Sequence, residues 1–333
     1  MSPASVIVPT VAGGPRVRRL LESLRDRPAG VEVLVVDNDS ADPEVGDLGD
    51  RFEGVRVIRL DHNAGYSRAV NVAAREAAGD ALVLLNDDCV CDPGYVEAIV
   101  AALDPAAGVT MAAGVMREAR DPSRIDTAGM QLDRTLLVFD YLNGEPLALL
   151  DDGVDDPIGP SGAAAAFDRE AYLAAGGFDE RLFAYWEDVD LVLRMRLDGQ
   201  RCVLAPNARG THAHSATLGS GSVRKNYLMG FGRGYVLRKW GVLRSPRRLV
   251  QVLAVDGAVC LGQMAVDRSV AGIGARARGF RATRRAAPFP AAALTGQARA
   301  DGTLRTLGRR ARRRARLRAR RPESAADRAS GRR

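Results

Sequence analysis

The sequence predicts an α/β protein: an open, mostly parallel sheet flanked by helices, followed by a helical C-terminal extension. Two patterns carry that expectation. Over the first 116 residues, short and nearly continuous runs of Val, Ile and Leu alternate with segments of helical period. Runs of that kind are typical of strands covered on both faces, and strands alternating with helices build parallel sheets. In addition, polar residues cluster directly after the apolar runs, where an open parallel sheet binds its ligands.

Taken in order, SVIVPT (5–10), VEVLVVDN (31–38), VRVIRLD (55–61), ALVLLND (81–87) and VTMAAGVM (109–116) read as strands. The helical patterns between them cover 16–25, 67–78 and 93–103. The last of these is expected to start on Asp92 as N-cap with Pro93 at the first helical position. From 117 to 160 the pattern weakens into Gly, Pro and Asp clusters with one hairpin. Helices return at 168–175, 187–198 and 223–240, with a short strand at 201–206 and a small-residue loop at 215–222. Residues 249–275 read as one or two amphipathic helices.

Composition narrows the class. The 333 residues are 46% apolar and 27% charged, an ordinary globular balance. The stretch 249–266 contains Gln251, Asp256 and Gln263, whereas a bilayer span needs about 20 mainly apolar residues, so no transmembrane helix is expected. The N-terminus has no basic segment of a signal peptide. Four cysteines cannot frame a chain this long, and Cys89-Val-Cys91 lacks zinc-knuckle spacing; a reducing cytoplasm is the expected home. The net charge of +7 is uneven: from Arg281 onward, 17 arginines face three acids, giving +14, so the preceding 280 residues carry −7.

Thr10, Asp37, Asn38, Asn63 and Asp88 each fall at or just past a strand end. Asp37-Asn38-Asp39-Ser40 suits either a capped turn or a carboxylate accepting hydrogen bonds from a nucleobase. Asn63-Ala64-Gly65-Tyr66 is either a simple loop or a backbone that approaches a diphosphate at the next helix N-terminus. In Asn86-Asp87-Asp88 two adjacent carboxylates repel unless a cation relieves them, and oxygen ligands with substrate phosphates are how Mg²⁺ or Mn²⁺ is held. Glu187-Asp188 either complements a helix dipole or, beside Tyr185 and Trp186, supplies a general base. His212 and His214 are two of three histidines. No G-x-S-x-G, Walker A or G-x-G-x-x-G motif follows the first strand, which excludes acyl hydrolases, P-loop NTPases and Rossmann dehydrogenases.

At these residues the sequence resembles the family 2 glycosyltransferases of the GT-A fold, with its open, Rossmann-like sheet, and within them the rhamnosyltransferase-like group. The matching segments are SVIVPT, VEVLVVDNDS, NAGYSRAVN, LVLLNDD, the block from GPSGAAAAFD through GGFDE to YWEDVDLVLRM, and THAHSATLGSGS. They occur in the family's order over about residues 5–240. The resemblance implies that Thr10, Asp37 and Asn38 hold the base and ribose, with Asn63, Gly65, Asn71 and Asp87 along the nucleotide diphosphate. It makes Asp88 the metal ligand, with Asn86 where the family has Asp. It makes Asp188 of the Glu187-Asp188 pair the base, and His212 a completing ligand for Mg²⁺ or Mn²⁺, with His214 as the alternative.

The implied protein is an inverting transferase with a GT-A domain at 1–240, a helical and membrane-associating extension at 241–300, and an Arg-rich tail at 301–333. Its donor would be dTDP-rhamnose or else a UDP-sugar, its acceptor a glycan, lipid-linked or otherwise, or a secondary metabolite. Nine arginines within 309–321, together with the amphipathic stretch 249–275, are expected to hold it on an anionic membrane surface at the inner face of the cell membrane. A nucleotidyltransferase remains an alternative, although VIVPTVAGG only half matches its Gly-rich signature. Nucleic-acid binding rests on the Arg tail alone, without a recognised module, and is not expected.

Overall fold

The computed structural model describes residues 3–213, 221–283 and 287–296. Strand β1 (Ala4–Thr10) leads through α1 (Gly14–Ser23) to β2 (Glu32–Asp37), and the short α2 (Leu48–Arg51) leads to β3 (Val55–Arg59). Next come α3 (Tyr66–Glu76), β4 (Ala81–Leu85), β5 (Cys89–Cys91) and α4 (Tyr95–Ala101). Strand β6 (Val109–Glu118) turns back as β7 (Asp121–Thr127), and β8 (Met130–Leu132) pairs with β9 (Val138–Asp140). The chain continues through β10 (Ala164–Asp168), α5 (Arg169–Ala174), α6 (Glu187–Leu197), β11 (Arg201–His212), α7 (Val223–Lys239), α8 (Pro246–Asp267) and α9 (Ala271–Ala282).

The main sheet runs β3-β2-β1-β4-β10-β6-β11-β5, with β7 on the side of β6. Side chains alternate between two cores: Ile7 packs with α3 and α6 residues, while Val6 and Val8 pack with α1 and α4. The sheet is mixed rather than mostly parallel. Its β1–β4 half is parallel, but β10 runs antiparallel to both β4 and β6. This central strand went unread because AAAFD has poor β propensity; it is a strand because Ala164, Ala165 and Ala166 are buried between the two cores.

Other boundaries also moved. Helix α4 starts two residues later than expected, capped by Gly94 in the left-handed region, because Asp92 is committed to Arg117. Asp37 caps its own turn by accepting from the Ser40 amide at 2.8 Å. Strand β11 extends beyond 206 by pairing with β5 and β6, which carries His212 to the sheet edge.

Helix α6 is held from behind by the buried Asp190. Its carboxylate receives Arg194 Nε (3.0 Å), Lys239 Nζ (2.8 Å) and Trp240 Nε1 (3.1 Å), and Lys239 also reaches Asp179. Helix α7 therefore docks on α6 through charge. It docks on α9 through glycine: a Cβ on Gly234 would fall on the Arg276 carbonyl, and one on Gly279 on that of Phe231. Backbones this close leave no room for side chains.

The expected amphipathic stretch is two helices. Contrary to the sequence expectation, α8 at 22 residues is long and apolar enough to cross a membrane by length and composition. The Arg-rich segment 309–321 lies outside the described residues.

Gly234→Ala should strain the α7–α9 crossing and destabilise the protein by about 1–3 kcal/mol, as over-packing does. Thermal unfolding followed by circular dichroism checks this, and an unchanged melting temperature would contradict the described contact.

Candidate active site

The C-terminal ends of β1, β2 and β4 lie on one edge of the sheet, where they meet the start of β10, the end of β11 and the N-terminus of α6. Together they enclose a cleft of about 690 Å³, within the range of small-molecule sites. Thr10, Asn38, Asn63, Gly65, Asp87, Asp88, Glu187, Asp188 and His212 all line it. Nine expected site residues from six segments are thus brought together.

The cleft floor is pre-set by its own hydrogen bonds. Thr10 donates its hydroxyl to Asp87 Oδ2 at 2.6 Å. Burial raises the Asp87 carboxyl above its ordinary range, and the Thr10 hydrogen bond works against that rise. Asn38 accepts from the Ala64 amide (2.8 Å) and donates to Asn63 Oδ1 and the Gly65 carbonyl. Gly65 has φ +88°, and a Cβ there would meet the Phe183 carbonyl oxygen at 2.5 Å. Its small size serves this contact with the segment leading to α6, and Tyr66 N donates to the same carbonyl at 2.7 Å.

Two expected residues do not line the cleft. Asp37 is fully buried beneath it, bound to the Ser40 amide and facing Arg59 at 3.4 Å. Asn71 points into the core instead. Its Oδ1 accepts from the Phe178 amide and the Tyr172 hydroxyl, and its Nδ2 donates to the Phe178 carbonyl and Glu180. With both ends of the amide occupied, it anchors the Gly-Gly-Phe turn and is unavailable to a ligand. His214 lies outside the described residues.

At one end of the cleft His212 stands between two carboxylates, with Nε2 3.1 Å from Asp88 and Nδ1 2.8 Å from Asp126. Burial works to lower its pKa, but the hydrogen bonds to Asp126 and Asp88 prevail and hold it at about 9. Asp126 was missed in the sequence. Its one signal was an acid lodged between Ile125 and Thr127 at a strand end. Ligand atoms of Asp88, Cys89 and His212 lie within 4.8 Å of one another. Burial pushes the Cys89 thiol well up, and its soft sulfur is a poor match for Mn²⁺ or Mg²⁺. The donors are one carboxylate oxygen and, once an ion displaces the Nε2 proton, one imidazole nitrogen backed by a second carboxylate, a set that suits Mn²⁺ or Mg²⁺.

The chain enters α6 through Tyr185 and Trp186, both left-handed at φ 69° and 76°. Such backbone is costly outside glycine and persists where its surroundings impose it. Here Trp186 donates to the Met229 carbonyl (3.0 Å) and lies under the Arg233 guanidinium (5.5 Å). The turn releases Glu187 and Asp188 onto the first turn of α6. Burial first, then the Asp188 charge, raises Glu187 well above the carboxylate range. Burial likewise lifts Asp188, to about 6, against the stabilising Val189 amide. Cationic Arg224 and Lys225 also line the cleft, and the sequence pattern does not single out either.

An acid–imidazole pair and an elevated acid pair thus line one cleft at the edge of this sheet, and the fold that carries them is the GT-A fold. The crystal structure of GalNAc-T7 with UDP, GalNAc and Mn²⁺ shares the fold with a TM-score of 0.58 at 16% identity, over 72% of this chain and 48% of that one. The family model Glycosyl transferase family 2 matches residues 5–143. The N-acetylglucosaminyl-diphospho-decaprenol L-rhamnosyltransferase of Mycobacterium tuberculosis is 32% identical over 238 residues, 63% of this chain and 76% of its own length. The O-antigen biosynthesis protein RfbC of Myxococcus xanthus is 30% identical over 230 residues, which cover 64% of this chain but only 17% of RfbC. The chain belongs to glycosyltransferase family 2.

Asn71→Ala should lower stability by about 1–3 kcal/mol, because it leaves buried groups of the Phe178 turn unsatisfied, while nucleoside diphosphate affinity stays unchanged. Paired melting curves and calorimetric titrations check both halves. A selective loss of affinity would return Asn71 to the binding site.

Proposed function

We propose that the cleft moves a sugar from a nucleotide donor to an acceptor hydroxyl with inversion at the anomeric carbon. The observation that carries this reading is that Asp188 and the Asp88–His212 pair line one cleft. The first can take the proton of an attacking hydroxyl while the second receives a departing diphosphate. L-rhamnose from dTDP-rhamnose is the proposed sugar, given the mycobacterial rhamnosyltransferase relative, with a UDP-sugar second. A glycan on a lipid diphosphate carrier is the proposed acceptor, in cell-wall or polysaccharide biosynthesis. Such an acceptor would make a cytoplasmic, membrane-peripheral location useful.

Asp88 and His212 would hold Mn²⁺ or Mg²⁺, with Asp126 fixing the imidazole. When bound, the ion supplies Lewis-acid neutralisation of the leaving diphosphate. Thr10 and Asn38 orient the base and ribose, Asn63 and Gly65 lie along the diphosphate, and Asp87 is kept in place by Thr10. Asp188 accepts the acceptor hydroxyl's proton as the oxygen attacks the face opposite the leaving group. The buried Glu187 beside it favours its own protonated form, so one negative charge, not two, sits at the base position. Inversion needs no covalent enzyme intermediate. A screen of dTDP-, UDP- and GDP-sugars for metal-dependent hydrolysis, followed by NMR of the anomeric product, tests this assignment. Retention of configuration, or no turnover of any sugar nucleotide, would overturn it.

Asp188→Asn should lower transfer about 10²–10⁴-fold, as loss of a general base does, with nucleoside diphosphate binding retained. The wild-type rate should fall as pH drops through about 6, where Asp188 takes a proton and can no longer accept one. That acid limb should vanish in the variant's residual activity, and near-normal turnover by Asp188→Asn would remove it from the mechanism.

Asp88→Ala and His212→Ala should each weaken binding of nucleoside diphosphate in the presence of Mn²⁺, read by calorimetry, and leave metal-free binding little changed. Wild-type binding by both variants would place the ion elsewhere.

A further inference from the structure

Helix α8 is inverted relative to an ordinary surface helix. Its acids and Gln263 face the protein, with Gln251 the one exposed uncharged polar side chain: Asp256 pairs with Arg233 at 3.0 Å and with Arg276 at 3.7 Å. Gln263 donates to Asn226, which in turn donates to Asp267, each at 3.2 Å. Val252 and Val255 complete the inner stripe. The outer stripe is apolar and bare, with Val250, Leu253 and Leu261 each about two-thirds exposed and Leu249, Met264 and Val266 beside them. Val270, past the helix end, and Ile273 on α9 are exposed as well. An apolar face of this extent marks an interaction site rather than scattered surface residues.

We propose that this outer face of α8 seats the enzyme in the interfacial layer of an anionic bilayer, with the helix axis lying in the membrane plane. The proposal rests on the transferase reading only for its purpose, since a lipid-linked acceptor would be met there. Charge selects lipid as the occupant. Arg244 and Arg247 stand exposed at one end of α8, Arg268 at the other, and Arg278 and Arg281 on α9. The two acids of these helices, Asp256 and Asp267, are turned inward against their partners. An apolar stripe rimmed by arginines matches acyl chains below a layer of anionic headgroups.

The same contacts select the orientation. At 22 residues α8 has the length of a span, but crossing would draw Asp256 into hydrocarbon and strip it from Arg233. Arg233 is 1% exposed and would be left as a buried charge without its carboxylate. Breaking such a pair is strongly unfavourable, and so is a carboxylate at the bilayer centre. Lying flat keeps both pairs intact.

The test uses the full chain with vesicles of phosphatidylcholine, with and without phosphatidylglycerol, and no substrate. Wild-type protein should co-sediment with the anionic vesicles and less so as salt rises. The double substitution Leu253→Asp with Leu261→Asp, both on the exposed face, should lower that partitioning at least tenfold without changing the melting temperature. Tryptophan placed singly by Val250→Trp and Leu261→Trp should be quenched equally by lipids brominated near the headgroup and little by lipids brominated at the chain ends.

Vesicle binding by the double variant equal to wild type would overturn the proposal, as would quenching of the residue-261 tryptophan from the bilayer centre. So would a wild type that ignores vesicles and instead self-associates through this face in sedimentation velocity. Because no sugar nucleotide is present, these outcomes are independent of the donor screen. Failure of the transferase reading would appear there, with vesicle binding intact.

Discussion

The cleft depends on a charge that water cannot reach. Asp190 is fully buried on the inner side of α6, and an ionised carboxylate there is tolerable only when surrounded by donors. Arg194, Lys239 and Trp240 provide them from two helices, and Lys239 passes the connection on to Asp179 in the loop before α6. These bonds fix the axial position of α6 against α7. Two residues upstream, Asp188 inherits that position. The acid that faces the cleft is located by the acid that faces away from it.

The remaining geometry of the proposed catalytic end follows from the same region. Two successive left-handed residues direct the chain into α6, and they persist because Trp186 is held on both sides, by the Met229 carbonyl and by Arg233. Gly232 leaves the space the indole occupies, since a Cβ there would collide with it. On the opposite wall Gly65 gives the Phe183 carbonyl its room. The cleft is therefore braced by contacts between its rims, and its shape is set before any ligand arrives, as preorganised electrostatic stabilisation requires.

Much of this was legible from residue order. Strands β1, β2 and β4 are apolar on both faces, and each ends at a polar residue, so Thr10, Asn38, Asp87 and Asp88 could be placed on one edge without coordinates. What sequence could not supply was decided by tertiary contact. An alanine run became the central strand β10 because two cores needed thin walls between them. Asn71 sits in the same motif as Gly65, but helical periodicity turns it to the opposite side, toward Phe178. Asp126 lies in the weakly patterned region, and only the pairing of β6 with β7 and β11 brings it to His212. In α8 three polar residues argued against an apolar helix when counted. In space Asp256 and Gln263 share the inward stripe, and only Gln251 is exposed among the apolar residues.

The glycine-to-backbone crossing of α7 and α9 has a consequence for modularity. Because Gly234 and Gly279 each lie against a carbonyl of the other helix, the segment after residue 240 is not an appendage that recombination could exchange freely. A graft from a relative would have to bring a matching pair of helix surfaces, or replace both helices together. Trp186 is steadied from α7, so any change of α9 that shifts α7 reaches the turn ahead of Asp188. Descendants of this chain are thus expected to vary their surface loops more readily than the junction between these two helices.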